Sequence, residues 1–317
     1  MYDREYFDAI HDFCVIGQRV KFMEKEKIIL DTDMGSDSDD AGALAMLHHL
    51  ADEGKAQILA VTHCASEISG PYAVRVINEY YGRADIPVGR YDKSVFLESD
   101  ICRQYTKPLM DKYLAENPKP EFDSAVKVMR KALAENDNVV MAVIGMMNNI
   151  ALLLKSQPDE ISPLSGTELV AQRVKKVYIM GGNFKDTDEP EFNVKNDAES
   201  AKYTAEHCPA PVFYCGSETG RDIITGRKLE KEDKSNPVHY AYSVHKPDTF
   251  VNFSWDPITV YCAVMQDKNE LFEPSDGMNI SFDLSGRTII SEGGKDFYMK
   301  RKASVSETEK CIDELIY

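Results

Sequence analysis

The stretch Ile28-Ile29-Leu30-Asp31-Thr32-Asp33-Met34-Gly35-Ser36-Asp37-Ser38-Asp39-Asp40-Ala41 decides how this 317-residue chain is read. Three large apolar residues run straight into five aspartates within ten positions, and an apolar helical pattern resumes at Ala43, Leu44, Met46 and Leu47. A buried strand followed by a helix is ordinary, but a knot of carboxylates at their junction is not. Like charges this close repel, and a hard divalent cation that prefers oxygen ligands is the natural neutraliser. Asp31 and Asp33 point to the same face of a strand. Gly35 permits a tight turn, and Asp39 and Asp40 open a helix whose dipole offsets part of their charge.

Outward from that stretch, strands and helices alternate. Residues 57–64 (QILAVTHC), 86–88, 139–144, 177–180 and 211–215 read as further strands. Residues 41–51, 72–81, 122–134, a segment from Asn149, and 198–205 read as helices. The segment after residue 88, up to about 120, reads as a long polar excursion. Apolar runs of Val, Ile and Leu without polar alternation, separated by helices, predict an α/β domain. Its mainly parallel central sheet is covered by helices on both faces. Ligands of such sheets sit beyond the carboxyl ends of the strands. The aspartate loop and the loop Gly181-Gly182-Asn183 both fall there. Residues 280–289 read as a hairpin, and Ser306-Glu307-Thr308-Glu309 reads as a capping box opening a last helix over 307–315. Residues 1–26 read as an N-terminal arm ahead of one domain spanning 27–317.

A hydrophobic content of 43%, a charged content of 28% and a net charge of −16 describe a globular chain with no basic patch. Nucleic acid is thereby excluded as a partner. The acidic start MYDREYFDAI has neither a basic nor an apolar region of a leader, and the longest apolar run, 139–147, is too short for a bilayer. The expectation is a cytoplasmic protein with no membrane association. The seven scattered cysteines, among them Cys64, Cys215 and Cys262, contain no CxxC pair and read as buried free thiols.

Several ordered segments resemble the inosine/uridine-preferring nucleoside hydrolases. Asp33-Met34-Gly35 with Asp39-Asp40-Ala41 is similar to that family's DTDPG and DDA signature. Met180-Gly181-Gly182-Asn183, Glu191-Phe192-Asn193 and Asp197-Ala198-Glu199 follow its MGG, EFN and DPEA order. Gly145-Met146-Met147-Asn148-Asn149 stands where the family has GPLTN, and Ser254-Trp255-Asp256-Pro257 stands at its C-terminal aspartate. The resemblance implies a nucleoside hydrolase-like fold and Ca²⁺-dependent hydrolysis of the N-glycosidic bond of ribonucleosides, as used in purine and pyrimidine salvage. It implies Asp33, Asp40, Asp256 and the main-chain carbonyl of Asn148 as metal ligands, with Asp33 also the general base. Asp39, Asn183, Glu191 and Asn193 are implied as ribose contacts, and a homodimer or homotetramer as the assembly. Asp31 is read as support, and Asp37 as either support behind the ligands or turn chemistry.

Two departures are visible. Trp255 replaces the histidine that many members carry as leaving-group acid, and Ser66-Glu67 stands near an expected asparagine. Trp255 offers an aromatic face on which a base can stack. His63, His239 and His245 are the candidate proton donors. The competing readings are a non-catalytic or sensory riboside-binding relative, and a phosphatase using Asp31 and Asp33. The second leaves Glu191, Asn193 and Asp256 without roles.

Overall fold

The computed structural model describes residues 25–231 and 233–317; the expected arm over 1–26 lies almost wholly outside them. The chain enters through β1 (Glu26–Thr32), then α1 (Asp39–Asp52), β2 (Ala56–His63), α2 (Ser69–Tyr80) and β3 (Val88–Arg90). The middle of the chain contributes α3 (Thr106–Glu116), β4 (Asp123–Ser124), α4 (Ala125–Glu135), β5 (Val139–Val143), α5 (Asn148–Lys155), α6 (Gly166–Arg173) and β6 (Val174–Met180). After it come α7 (Phe192–Asn196), α8 (Ala198–His207), β7 (Val212–Cys215), α9 (Ser217–Gly220), β8 (Ile224–Thr225), α10 (Pro237–His245), β9 (Asn252–Phe253) and α11 (Trp255–Met265). The chain closes with β10 (Phe272–Pro274), the hairpin β11 (Met278–Phe282) and β12 (Thr288–Glu292), β13 (Phe297–Arg301) and α12 (Val305–Ile316).

One nine-stranded sheet runs in the order β10-β13-β7-β6-β5-β1-β2-β3-β4, parallel throughout except for the outer pair β10 and β13. β1 lies inside it, with Leu30 beside Val61 of β2 on one flank and Ala142 of β5 on the other. Ile28, Ile29 and Leu30 are all fully buried because both faces are covered. Their side chains alternate: Ile28 and Leu30 join the core built with α1 and α11, and Ile29 joins the one built with α4, α5 and α8. The predicted α/β class and parallel sheet are thus observed.

Several boundaries differ from expectation. The supposed excursion before residue 120 contains α3, whose buried side chains are only Thr106, Leu109 and Tyr113, too few to mark an apolar stripe. The third strand begins at Val88 rather than 86, because Pro87 has no N–H to give the ladder; its carbonyl accepts from Val61 N at 3.0 Å. The helix α6 had no counterpart in the reading. The capping box of the last helix is formed by Ser304 and Glu307, two residues earlier than expected, each bonding the other's backbone N–H. All six described cysteines are free thiols, four of them buried; Cys14 lies outside the described residues. Among the described residues no helix is long and apolar enough to cross a membrane.

Candidate active site

The carboxyl ends of β1, β5 and β6 and the amino ends of α1 and α11 meet at one cavity of about 730 Å³. Asp33, Asp37, Asp39, Asp40, Asp256 and Glu191 all line it. β1 stops at Thr32, whose hydroxyl donates to Asp40 Oδ1 and accepts from Met34 N at 3.1 Å, so the turn and the first helical residues are tied together. Gly35 sits at φ 151°, where a Cβ would come within 2.5 Å of the Cys102 carbonyl. Gly145, at the end of β5, lets Asp33 approach: a Cβ there would lie 2.7 Å from Asp33 Oδ1 and 2.6 Å from Cys64 Sγ.

Asp31 stays behind this front. Its Oδ1 accepts from Thr62 Oγ1 at 2.6 Å and Asn149 Nδ2 at 2.8 Å, while its Oδ2 is buried without a partner. Burial pushes its pKa up to about 7 against those two bonds. Burial likewise pushes Asp33 up to about 8, with the Asp37 charge adding to it. Asp40 is raised by burial and then by Asp33 and Asp37, and Asp256 by burial and then by Asp39 and Asp40. Carboxylate oxygens of Asp37, Asp39 and Asp40 lie within 4.8 Å of one another. Asp37 thus stands beside Asp39 and Asp40, a position nearer its reading as support than its reading as turn chemistry.

Asp39 also joins the ends of the chain. Its Oδ2 accepts from Asp256 N at 3.2 Å, and its Oδ1 from Asn252 Nδ2 at 3.3 Å. The first turn of α11 is therefore capped by the first residue of α1. Asn148 opens α5, is buried, and sends its side-chain amide to the Cys64 carbonyl at 2.7 Å. It is not among the residues bordering the cavity.

Across the cavity Glu191 caps α7, accepting from Asn193 N at 2.9 Å and Val194 N at 3.0 Å; burial nonetheless raises its pKa to about 7. Asn193 Nδ2 reaches the carbonyls of Ile144 and Met180 at 3.2 and 3.3 Å. Asn183 is buried, donates from Nδ2 to Glu189 at 3.2 Å and accepts from Asp186 N at 2.9 Å. Trp255 borders the cavity with its Nε1 held by the Ser217 carbonyl at 2.8 Å, which fixes the ring. Leu97, Ile101, Pro190 and Phe192 supply apolar wall.

The histidines separate cleanly. Both ring nitrogens of buried His63 face backbone carbonyls, those of Ala65 at 3.0 Å and Met34 at 3.1 Å, and it does not border the cavity. His239 is buried against Phe250. His245, at the end of α10, does line the cavity. Burial lowers its pKa and the Asp37 charge opposes that shift.

None of the six carboxylates on this wall makes an ion pair with a lysine or arginine among the described residues. An all-oxygen donor set of this kind suits a hard divalent cation. The residues present fit such an ion.

Comparison with known proteins agrees with this geometry. No curated protein matches the chain. Among solved structures, the inosine-uridine preferring nucleoside hydrolase from Bacillus anthracis superposes with a TM-score of 0.69 at 16% identity, over 92% of this chain and 99% of that one. The effector protein XOO4466 superposes with a TM-score of 0.68, and the type III effector XopQ, solved in complex with adenosine diphosphate ribose, with 0.69. Each is 16% identical and covers 92% of this chain and 93% of its own. The model of the inosine-uridine preferring nucleoside hydrolases matches residues 28–311, and with the aspartate loop, the Glu191 segment and Asp256 converging on one cavity, the chain belongs to that family.

Proposed function

We propose that the chain hydrolyses the N-glycosidic bond of ribonucleosides, releasing ribose and the base, with Ca²⁺ as its resident ion. The observation that carries this reading is the set of six carboxylates on one cavity, four of them buried and Asp33 and Asp37 half-buried, with apolar wall beside it. Asp33, Asp40, Asp256 and the Asn148 carbonyl would hold the ion, with Asp37 near enough to Asp40 to join them. The ion supplies Lewis acidity and orientation for the attacking water and the ribose hydroxyls. Asp33 takes the proton of the attacking water as general base. Asp39, Glu191, Asn193 and Asn183 bind the ribose hydroxyls. Their backbone hydrogen bonds hold them preorganised, and the two carboxylates stabilise the oxocarbenium character of the transition state. The base leaves along the fixed ring of Trp255, and His245 is the cavity-wall imidazole able to give it a proton.

Trp255 itself favours the second reading, a riboside binder without turnover. Its indole N–H is spent on the Ser217 carbonyl and cannot protonate a leaving base. Ribose release from inosine, uridine, adenosine and cytidine distinguishes the two. Turnover of at least one, falling about a thousandfold in Asp33→Asn with the circular-dichroism spectrum retained, supports hydrolysis. No turnover of any of the four, with measurable riboside binding, establishes the binder. Near wild-type rates in Asp33→Asn refute the role of Asp33.

A further inference from the structure

The charge around the cavity is layered by depth. The carboxylates of Asp39, Asp40, Asp256 and Glu191 are buried at its floor with Asp33 half-buried beside them, whereas Lys195 and Arg221, which line the same cavity, are exposed at its rim. In a chain of net charge −16, a basic rim over an acidic floor is not what composition alone supplies. Arg221, Asn183 and Ser217 are also the shared wall of an adjoining second cavity of about 490 Å³, which Lys185 borders as well.

Ser217 is 7% exposed, and its hydroxyl has no partner among the described residues although it stands on both cavities. A buried hydroxyl without a partner costs about 1 to 3 kcal/mol, so a ligand atom is the economical way to satisfy it. Arg221 has a single ion pair among the described residues, to Glu189 at 3.5 Å with both side chains more than half exposed, which leaves its planar fork open to two more oxygens. Of the four acids of the second cavity, Glu189 is the one engaged with the site itself, 3.5 Å from Arg221 and 3.2 Å from Asn183 Nδ2. Asp222 is held by two nitrogens of Arg301, at 2.5 and 2.8 Å, and Glu218 accepts from Phe184 N at 3.3 Å with its pKa raised by burial. Asp186 and Glu189 are exposed to water. A riboside seated on Asp39, Glu191 and Asn193 makes no use of this second space.

We propose that the riboside this site takes carries a phosphate at its 5′ end, with Asn183 passing the chain from the first cavity to the second. Ser217 Oγ, Arg221 and Lys185 receive the phosphate oxygens. The inference rests on riboside recognition at the Asp33 site and names its substrate class: a nucleoside 5′-phosphate in preference to the free nucleoside. The phosphate is a spectator. Water oxygen bonds to C1′ as the C1′–N bond breaks, and the proton ends on the departing base.

The test compares adenosine with its 5′-monophosphate, and inosine with its own, on the full chain loaded with Ca²⁺, following base release. The expected kcat/KM is at least about tenfold higher for each monophosphate, a difference on the scale of one charge-assisted contact. Arg221→Ala, and separately Ser217→Ala, should shrink that ratio mainly through the KM of the monophosphate. Free nucleosides hydrolysed as well as their monophosphates would overturn the inference and leave riboside hydrolysis standing. If neither kind is hydrolysed, hydrolysis fails and calorimetric binding decides. Adenosine monophosphate bound about tenfold tighter than adenosine, with the preference lost in Arg221→Ala, supports the subsite; equal or weaker binding overturns it.

Discussion

Asp31 gives the sharpest prediction, because it is buried behind the cavity and its surroundings are fully specified. Its pKa stands at about 7 instead of 3.8, with burial as the cause. The native state therefore holds a proton that the unfolded chain has already released at neutral pH. With unfolded and folded pKa values near 4 and 7, the contribution to stability is fully present below about pH 4. It declines as pH rises to 7 and is constant above. Between pH 5 and 7.5 the loss comes to about 2.5 kcal/mol at 1.36 kcal/mol per unit. For a chain of this length, with an unfolding entropy of about 0.7 kcal/mol per kelvin, that is a fall of about 4 °C in Tm. Asp31→Asn keeps the shape and the bonds from Thr62 and Asn149 to Oδ1 while removing the ionisation. Calorimetric melting in a calcium chelator, across that pH range, should give the variant a Tm that falls about 4 °C less than the parent. Parallel Tm curves for the two proteins would refute the reasoning.

Calcium should raise Tm more at pH 8 than at pH 5.5, because protons held by Asp33, Asp40 and Asp256 compete with the ion at the lower pH; an equal gain, or a larger gain with Mg²⁺, would contradict the oxygen cage. Gly145→Ala puts a Cβ 2.7 Å from Asp33 Oδ1 and should cost about a hundredfold in kcat/KM through misplacement of that carboxylate, so unchanged kinetics would show that Asp33 tolerates the shift. Arg130 is 1% exposed and clamps Asp159 with Nε at 2.8 Å and Nη2 at 2.7 Å, while also serving the carbonyls of Ser162 and Leu164. Arg130→Ala should lower stability by about 3 kcal/mol in urea titration, and a loss below about 1 kcal/mol would mean the 156–165 segment is held by other contacts.

The sheet was readable wherever burial on both faces left no polar alternation. Ile28-Ile29-Leu30 and Val139 to Val143 are of that kind, and each pairs as its apolar run suggests. The helix α3 was not readable, because its segment TKPLMDKYLAE sends only three side chains inward and the rest to water. Asp33, Asp40, Glu191 and Asp256 could be placed on one cavity from motif order alone, since each follows a strand or opens a helix at the same sheet edge. Asp37 could not. Whether a turn carboxylate faces its neighbours or the solvent depends on a backbone path that Gly35 permits but does not spell out. His245 was one of three equal histidines in the sequence, and only the packing of α10 separates it from His63 and His239. The second cavity was invisible, because it forms between segments around residues 185 and 217 that share no pattern.

The bond from Asp256 N–H to Asp39 spans 217 positions, and it sets a timetable for the molecule's assembly. At about 5 to 20 residues per second, residue 256 leaves the ribosome about 10 to 40 s after residue 39. Throughout that interval the five early aspartates are without their partner helix α11, and β7 lacks its neighbour β13. The nascent chain therefore carries the charge of the site long before it has the site. Completion of the sheet by β13 and capping of α11 by Asp39 both wait for the last third of the sequence.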